Sequence, residues 1–279
     1  MRLRKTKSRS KKEILKEDPF CIYCGERSTT VDHMPPKKMF IRKWRLSGME
    51  FGSCFRCNEG AAAADAVASF LARMGIHGGS EAIDDLINTM KAKAPAVLKE
   101  IVQSISGSQA IFGRANEYLY QPLRYGRLDG SAVRAHMSVF GARFGMALFR
   151  QLVRRPLCRD GVVYARWNLN CGILEEFLNG LPLAGTLEQG KHDASDQFEY
   201  QYNTDRKYIA ASFARFQRGL YIFSIAADKP EYIEAIKRYP VIETDSNMPS
   251  ARTAVRLQPS ELCSRIDRML ADQASARAI

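Results

Sequence analysis

The stretch EGAAAADAVASFLARM, residues 59–74, carries Ala63, Val67, Phe70, Leu71 and Met74 three and four residues apart, the spacing of one apolar helix face. Gly75, with Gly78 and Gly79 beyond it, supplies the stop. SEAIDDLINTMKAKA (80–94) opens with Ser80 and acids in its first turn and predicts a second helix, continued by APAVLKEIVQSIS. The longest periodic run, GSAVRAHMSVFGARFGMALFRQLVRR (130–155), sets Val133, Met137, Phe140, Phe144, Leu148 and Leu152 along one stripe. Beyond it the period changes to two. QFEYQYN alternates Phe198, Tyr200 and Tyr202, and KYIAASFARF and RGLYIFSIAAD follow as neighbouring strands. EYIEAIKRY and PSELCSRIDRMLADQ read as closing helices. Near the start, STTVDH has the β-branched run of a strand, MEFGS is its partner, and KKEILKE forms a short helix. The pattern predicts an α+β protein in three regions: an arm over 1–17, a module over 18–75, and a body of helices and a small antiparallel sheet over 80–279.

Charge changes this picture most. The net charge is +12, and residues 1–60 hold 15 Lys and Arg against 7 Asp and Glu, so +8 of it lies in about a fifth of the chain. A field of that sign attracts phosphate backbones through counterion release, without reading sequence. A solvated basic tail that aids solubility is the plainer alternative for the arm. No apolar run approaches the ~18 residues of a membrane span, and the first residues, MRLRKTKSRSKKEILKED, lack the apolar core of a secretory signal. Four of the seven cysteines fall in two C-x-x-C pairs, which fits one metal site in a reducing cytoplasm better than a disulfide framework.

Those pairs are Cys21/Cys24 and Cys54/Cys57. Four thiolates in two knuckles suit a closed, structural tetrahedral zinc with no position left for water. Between them lies VDHMPP. Asp32 offers a hard oxygen for Mg²⁺ or Mn²⁺, and His33 titrates near neutrality and can take a proton from water. Asn58, directly after the second knuckle, adds a neutral oxygen ligand. Lys37, Lys38, Arg42, Lys43 and Arg45 follow the motif and can hold flanking phosphates, with Trp44 among them as a packing anchor or a stacking ring.

Taken together, C-x2-C, VDHMPP and C-x2-CN resemble the HNH (ββα-metal) endonuclease family in its four-cysteine form. The resemblance covers about residues 18–75. It implies a zinc-stabilised hairpin-and-helix unit around one catalytic divalent ion, with His33 as general base, Asp32 and Asn58 as ligands of that ion, and Cys21, Cys24, Cys54 and Cys57 on structural zinc. It further implies hydrolysis of DNA phosphodiester bonds to 5′-phosphate and 3′-hydroxyl ends, in restriction, phage defence or a mobile element. The alternative is a non-catalytic zinc module in a nucleic-acid-binding or regulatory protein. The sequence departs from the family between Leu46 and Gly52, LSGMEFG, where the usual middle Asn or His is missing. Backbone groups or Glu50 would then brace the loop. Residues 80–279 are left with target reading, homodimerisation or binding of a regulatory partner.

Several residues invite a role and receive plainer readings. Asp65, seven residues after Asn58 on the same helix face, could reach a metal, and its plainer reading is an exposed acid. His77 in GIHGG reads as a loop residue, and His136 and His192 stand alone; Cys158, Cys171 and Cys263 lack partners at ligand spacing and read as small apolar residues. Gly141 and Gly145 read as a close-packing pair, and Phe198, Tyr200 and Tyr202 as core rather than a stacking platform.

Overall fold

The computed structural model describes residues 9–41, 46–74, 80–106, 111–116, 119–123, 128, 130–169, 186–191, 194, 196–217, 219–232, 255–257 and 259–277. The fold is mixed α+β. The helices are α1 (Lys11–Glu17), α2 (Phe55–Glu59), α3 (Ala62–Met74), α4 (Ser80–Lys93), α5 (Pro95–Ser106), α6 (Ser131–Val153) and α7 (Pro259–Arg277). The strands are β1 (Thr30–His33), β2 (Glu50–Ser53), β3 (Ile111–Asn116), β4 (Leu119–Leu123), β5 (Val162–Asn168), β6 (Glu188–Gln189), β7 (Phe198–Thr204), β8 (Ile209–Phe216), β9 (Leu220–Ala227) and β10 (Val255–Leu257). β1–β2 and β3–β4 are two-stranded; the other six form one antiparallel sheet in the order β10-β5-β9-β8-β7-β6.

The helix α6 lies across β5, β8 and β9. Its glycines permit that approach: a Cβ added at Gly145 would stand 2.7 Å from Val163 Cγ1, and one at Gly141 2.9 Å from the Ala165 Cβ. Phe144 and Phe198 meet Phe216 at ring-centroid distances of 5.3 and 5.1 Å, so the stripe of α6 and the inward residues of β7 share one aromatic core. Phe198, Tyr200 and Tyr202 are all buried, as their alternation predicts. β5 and β9 are buried at every position, which erases the period of two. The break at Ala94–Pro95 separates α4 from α5, because proline cannot donate to the preceding turn.

The N-terminal segments are fastened to this body. α1 starts in a capping box, Ser10 with Glu13, and packs against β1 and β2. From α6, Arg150 donates through Nε to Asp18 at 2.6 Å and through Nη2 to Glu17 at 3.2 Å. Gln217 Nε2 donates to the Met39 carbonyl at 3.0 Å. Buried residues of 21–74 and of the body form one continuous apolar cluster. No helix among the described residues is long and apolar enough to cross a membrane.

Candidate metal centre and the Asp32–His33 hairpin

The first knuckle is a tight turn: the Gly25 amide donates to the Cys21 carbonyl at 2.9 Å, and Gly25 has φ +78°, where a side chain would be strained. The second knuckle is the start of α2. Cys54 is its N-cap, and its Sγ accepts from the Cys57 amide at 3.4 Å. The strands β1 and β2 hold the two knuckles together. As a result the sulfurs of Cys21, Cys24, Cys54 and Cys57 all lie within 4.8 Å of one another, and Cys24 and Cys54 are 3.6 Å apart. Zn–S bonds of ~2.3 Å in a tetrahedron give S···S spacings of ~3.8 Å, so the four fit zinc. Their crowding also shifts the thiols. Contact with Cys21 and other sulfurs pushes the Cys57 thiol far up, burial pushes Cys54 up to about 11, and hydrogen bonding from Cys21 brings Cys24 down to about 6. All four would ionise together only around a positive ion.

Asp32 and His33 are adjacent on β1, in register with Phe51 and Glu50. Successive strand side chains point to opposite faces, so the two do not share one. Asp32 turns inward and is buried. Its Oδ2 accepts from the Tyr23 hydroxyl and, at 2.7 Å, from Arg143 Nη2. His33, the last residue of β1, shares its face with Glu50, and Glu50 Oε2 accepts from the Gly48 amide at 2.9 Å and from Arg9 at 3.3 Å. Glu50 thus braces the loop just ahead of β2. Asn58 Nδ2 donates to Thr30 Oγ1 at 3.2 Å and to the Val31 carbonyl at 3.3 Å, so α2 is tied to the strand that carries Asp32.

The residue that sequence reasoning missed here is Arg143. It is wholly buried, lies 5.0 Å over the Tyr23 ring, and bridges Asp32 to Asp65, which accepts from Nη1 at 2.6 Å. Asp65 is therefore a partner in a buried cluster and not the exposed acid that its alanine-rich helix suggested. The signal was present: one arginine inside VFGARFGMALF, a run otherwise able to bury every side chain, needs a buried anion. Burial alone would favour the neutral guanidine, but Asp32 and Asp65 hold Arg143 protonated. Replacing Arg143 with Met would leave two carboxylates facing each other without a counter-charge. We expect a loss of about 3–5 kcal/mol, read by urea unfolding. Adding Asp32→Asn should restore part of it.

Burial outweighs the pull of Arg143 on Asp65 and raises its carboxyl from 3.8 to about 7. Between these values the folded protein keeps a proton that the unfolded chain has released. The Asp65 contribution to stability is therefore largest below about pH 4, falls through the window, and is lost above about 7. In Asp65→Asn, unfolding free energy measured at pH 5 and pH 7.5 should show less of this decline than wild type.

Lys37 and Lys38 lie on the short 3-10 turn Lys37–Met39, with Lys38 exposed and donating to Thr89 Oγ1 at 2.7 Å. Arg42, Lys43, Trp44 and Arg45 fall outside the described residues, as do His77, Cys171 and His192. Cys263, read as a small apolar residue, is buried on α7. No family model, curated protein or solved structure matches this chain.

Proposed function

We propose that the protein is a metal-dependent endonuclease of the HNH type acting on DNA. The observation that carries this reading is the order Asp32–His33 on β1, antiparallel β2, then Asn58 at α2 bonded back to β1, with the sulfur cluster clamping both ends of the hairpin. Arg143 takes one oxygen each of Asp32 and Asp65; Asp32 Oδ1 and Asn58 Oδ1 make no hydrogen bond among the described residues. One carboxylate and one amide suit Mg²⁺ or Mn²⁺, which bind through few protein oxygens and take the rest from water and substrate phosphate. Such an ion would neutralise charge on the phosphodiester and the departing 3′ oxygen.

The chain's own groups divide the remaining work. His33 accepts the proton of the attacking water. Arg143 and Tyr23 hold the Asp32 carboxylate in one orientation, and Asn58 anchors α2 to β1. Lys37 and Lys38 receive flanking phosphates. Purified protein should nick or cut plasmid DNA when Mg²⁺ or Mn²⁺ is supplied and stop when EDTA is added; zinc-replete protein indifferent to Mg²⁺ would refute the reading.

The occupation of Asp32 by Arg143 favours a second reading, a non-catalytic zinc module that binds nucleic acid and uses Asp32 as a brace. Both readings expect electrostatic DNA binding through the first 60 residues. If about five phosphates are neutralised, the logarithm of affinity should fall against the logarithm of salt with a slope of roughly −4 to −5. Deleting residues 1–8, which hold Arg2, Arg4, Lys5 and Lys7, should make that slope shallower. A flat salt response would remove DNA as the partner.

A further inference from the structure

A cavity of about 370 Å³ lies where α6 ends. Eleven residues of chain separate Arg154 at this end from Arg143, about 16 Å of helix. The walls come from the last turn of α6, from Tyr200 and Tyr202 of β7, from Lys191 after β6 and from Arg206 in the turn after β7. Gly190 lies on the Tyr200 ring, where an added Cβ would stand 2.3 Å from Cζ, and this contact brings Lys191 to the cavity. Tyr202 donates its hydroxyl to Glu188 Oε2 at 2.8 Å, which fixes that ring. None of the described lining residues is an acid, and among the described residues the side chains of Arg154, Lys191 and Arg206 form no ion pair. Three like charges around one concave space raise its positive potential, which draws in anions.

The backbone gives a second observation. Arg154 caps α6 at φ 68° and ψ 17°, and Arg206 stands at φ 59°. That left-handed region disfavours a residue with a Cβ, and glycine or asparagine is usual where a helix ends in it. Outside glycine, only Gln217 among the described residues shares a positive φ with them. The turn holds Arg206 in place: its amide donates to Thr204 Oγ1 at 2.9 Å, and Asp205 Oδ1 accepts from the Lys207 and Tyr208 amides at 2.8 and 2.7 Å. Two arginines strained at the backbone on one cavity point to work done by their side chains.

We propose that this cavity binds a small organic polyphosphate of the nucleoside di- or triphosphate class. Its volume lies at the lower end of the range of about 300–1,000 Å³ that small-molecule sites span. A guanidinium matches two phosphate oxygens at once, and the ammonium of Lys191 adds a point charge, so three cations balance a di- or triphosphate. The last turn of α6 supplies carbonyls without helical partners, which accept from amino and hydroxyl groups of the nucleoside. The same carbonyls repel anions, so the phosphates lie toward the three cations. A DNA backbone is tracked by an open charged face, whereas these charges line a cavity. The site uses neither the sulfur cluster nor His33, and it stands whether or not the chain is a nuclease.

The test is calorimetric titration of the full-length protein with ATP, with adenosine and with a short single-stranded DNA oligonucleotide. ATP should bind once per chain, and adenosine should bind at least about tenfold more weakly. Arg154→Gly and Arg206→Gly should each weaken ATP binding by about tenfold or more. Without ligand, both variants should melt at or near the wild-type temperature, because glycine suits both backbone positions. Lys91→Gln/Lys93→Gln, which removes two exposed charges from α4, should leave ATP affinity unchanged. The proposal is overturned if ATP does not bind, if adenosine binds as tightly, or if both arginine variants bind ATP like wild type. Equal weakening by the Lys91/Lys93 pair would assign the binding to diffuse charge and overturn it as well. Loss of oligonucleotide binding with ATP binding intact would make the cavity part of a DNA surface, against the proposal. Should one glycine variant fail to fold, the other decides.

Discussion

Stripping zinc from the protein at neutral pH should melt the region from Cys21 to Glu59. The energetic scale is large. Apparent zinc binding in small sulfur-ligated modules is about 10–16 kcal/mol, and because the site does not exist in the unfolded chain, that energy is folding energy. Here the hairpin has only four residues in each strand, and α2 only five. Elements so short do not stand in water on their own hydrogen bonds. The cluster joins the two knuckles, and through the knuckles it joins β1, β2 and α2. Cys57→Ser should therefore lose metal and destabilise the protein more than any single apolar substitution in the core. Metal analysis should give one zinc per chain, and circular dichroism during chelation should report the loss of structure. The effect should spread from the module, because Arg143 and Arg150 pair with residues on both sides of the hairpin. Acid should mimic the chelator, since protons compete with the ion for thiolate. Unchanged melting after complete removal of zinc would mean that the apolar cluster alone holds the hairpin.

The parts of this arrangement that were legible in the sequence are those governed by local period. The stripe of α6, the alternation of β7 and the β-branched run before Asp32 each announce an element, and the paired spacing of Cys21, Cys24, Cys54 and Cys57 announces a metal site. What was hidden depends on contacts between distant segments. β5 reads VVYARWN and is buried on both faces, so it has no polar side to mark its period. Arg143 and Asp65 are 78 residues apart, and neither names the other in the sequence. Asp32 and His33 are adjacent in the sequence, and which face of β1 each one takes shows only in the pleat of the strand.

His33→Ala should carry the other large effect, on rate and not on stability. A positioned base contributes about 10² to 10⁴ in rate. His33 is the last residue of β1, and the ion pairs of Asp32, Arg143 and Asp65 and the four-sulfur cluster are made by other side chains, so those contacts survive its removal. Asp32 is different. Asp32→Ala strips Arg143 of one partner and should cost stability together with activity, so that variant alone cannot separate a ligand from a brace. Asn58→Ala should be milder, because an amide oxygen binds a hard cation less strongly than a carboxylate. The direct measurement is therefore Mg²⁺-dependent plasmid cleavage by wild type and His33→Ala in parallel, with zinc content, melting temperature and DNA affinity recorded for both. The account predicts that cleavage falls by at least about 10² while the other three stay at wild-type values. It is contradicted if wild type does not cleave with Mg²⁺ or Mn²⁺, if His33→Ala cleaves at the wild-type rate, or if His33→Ala loses zinc or melts early.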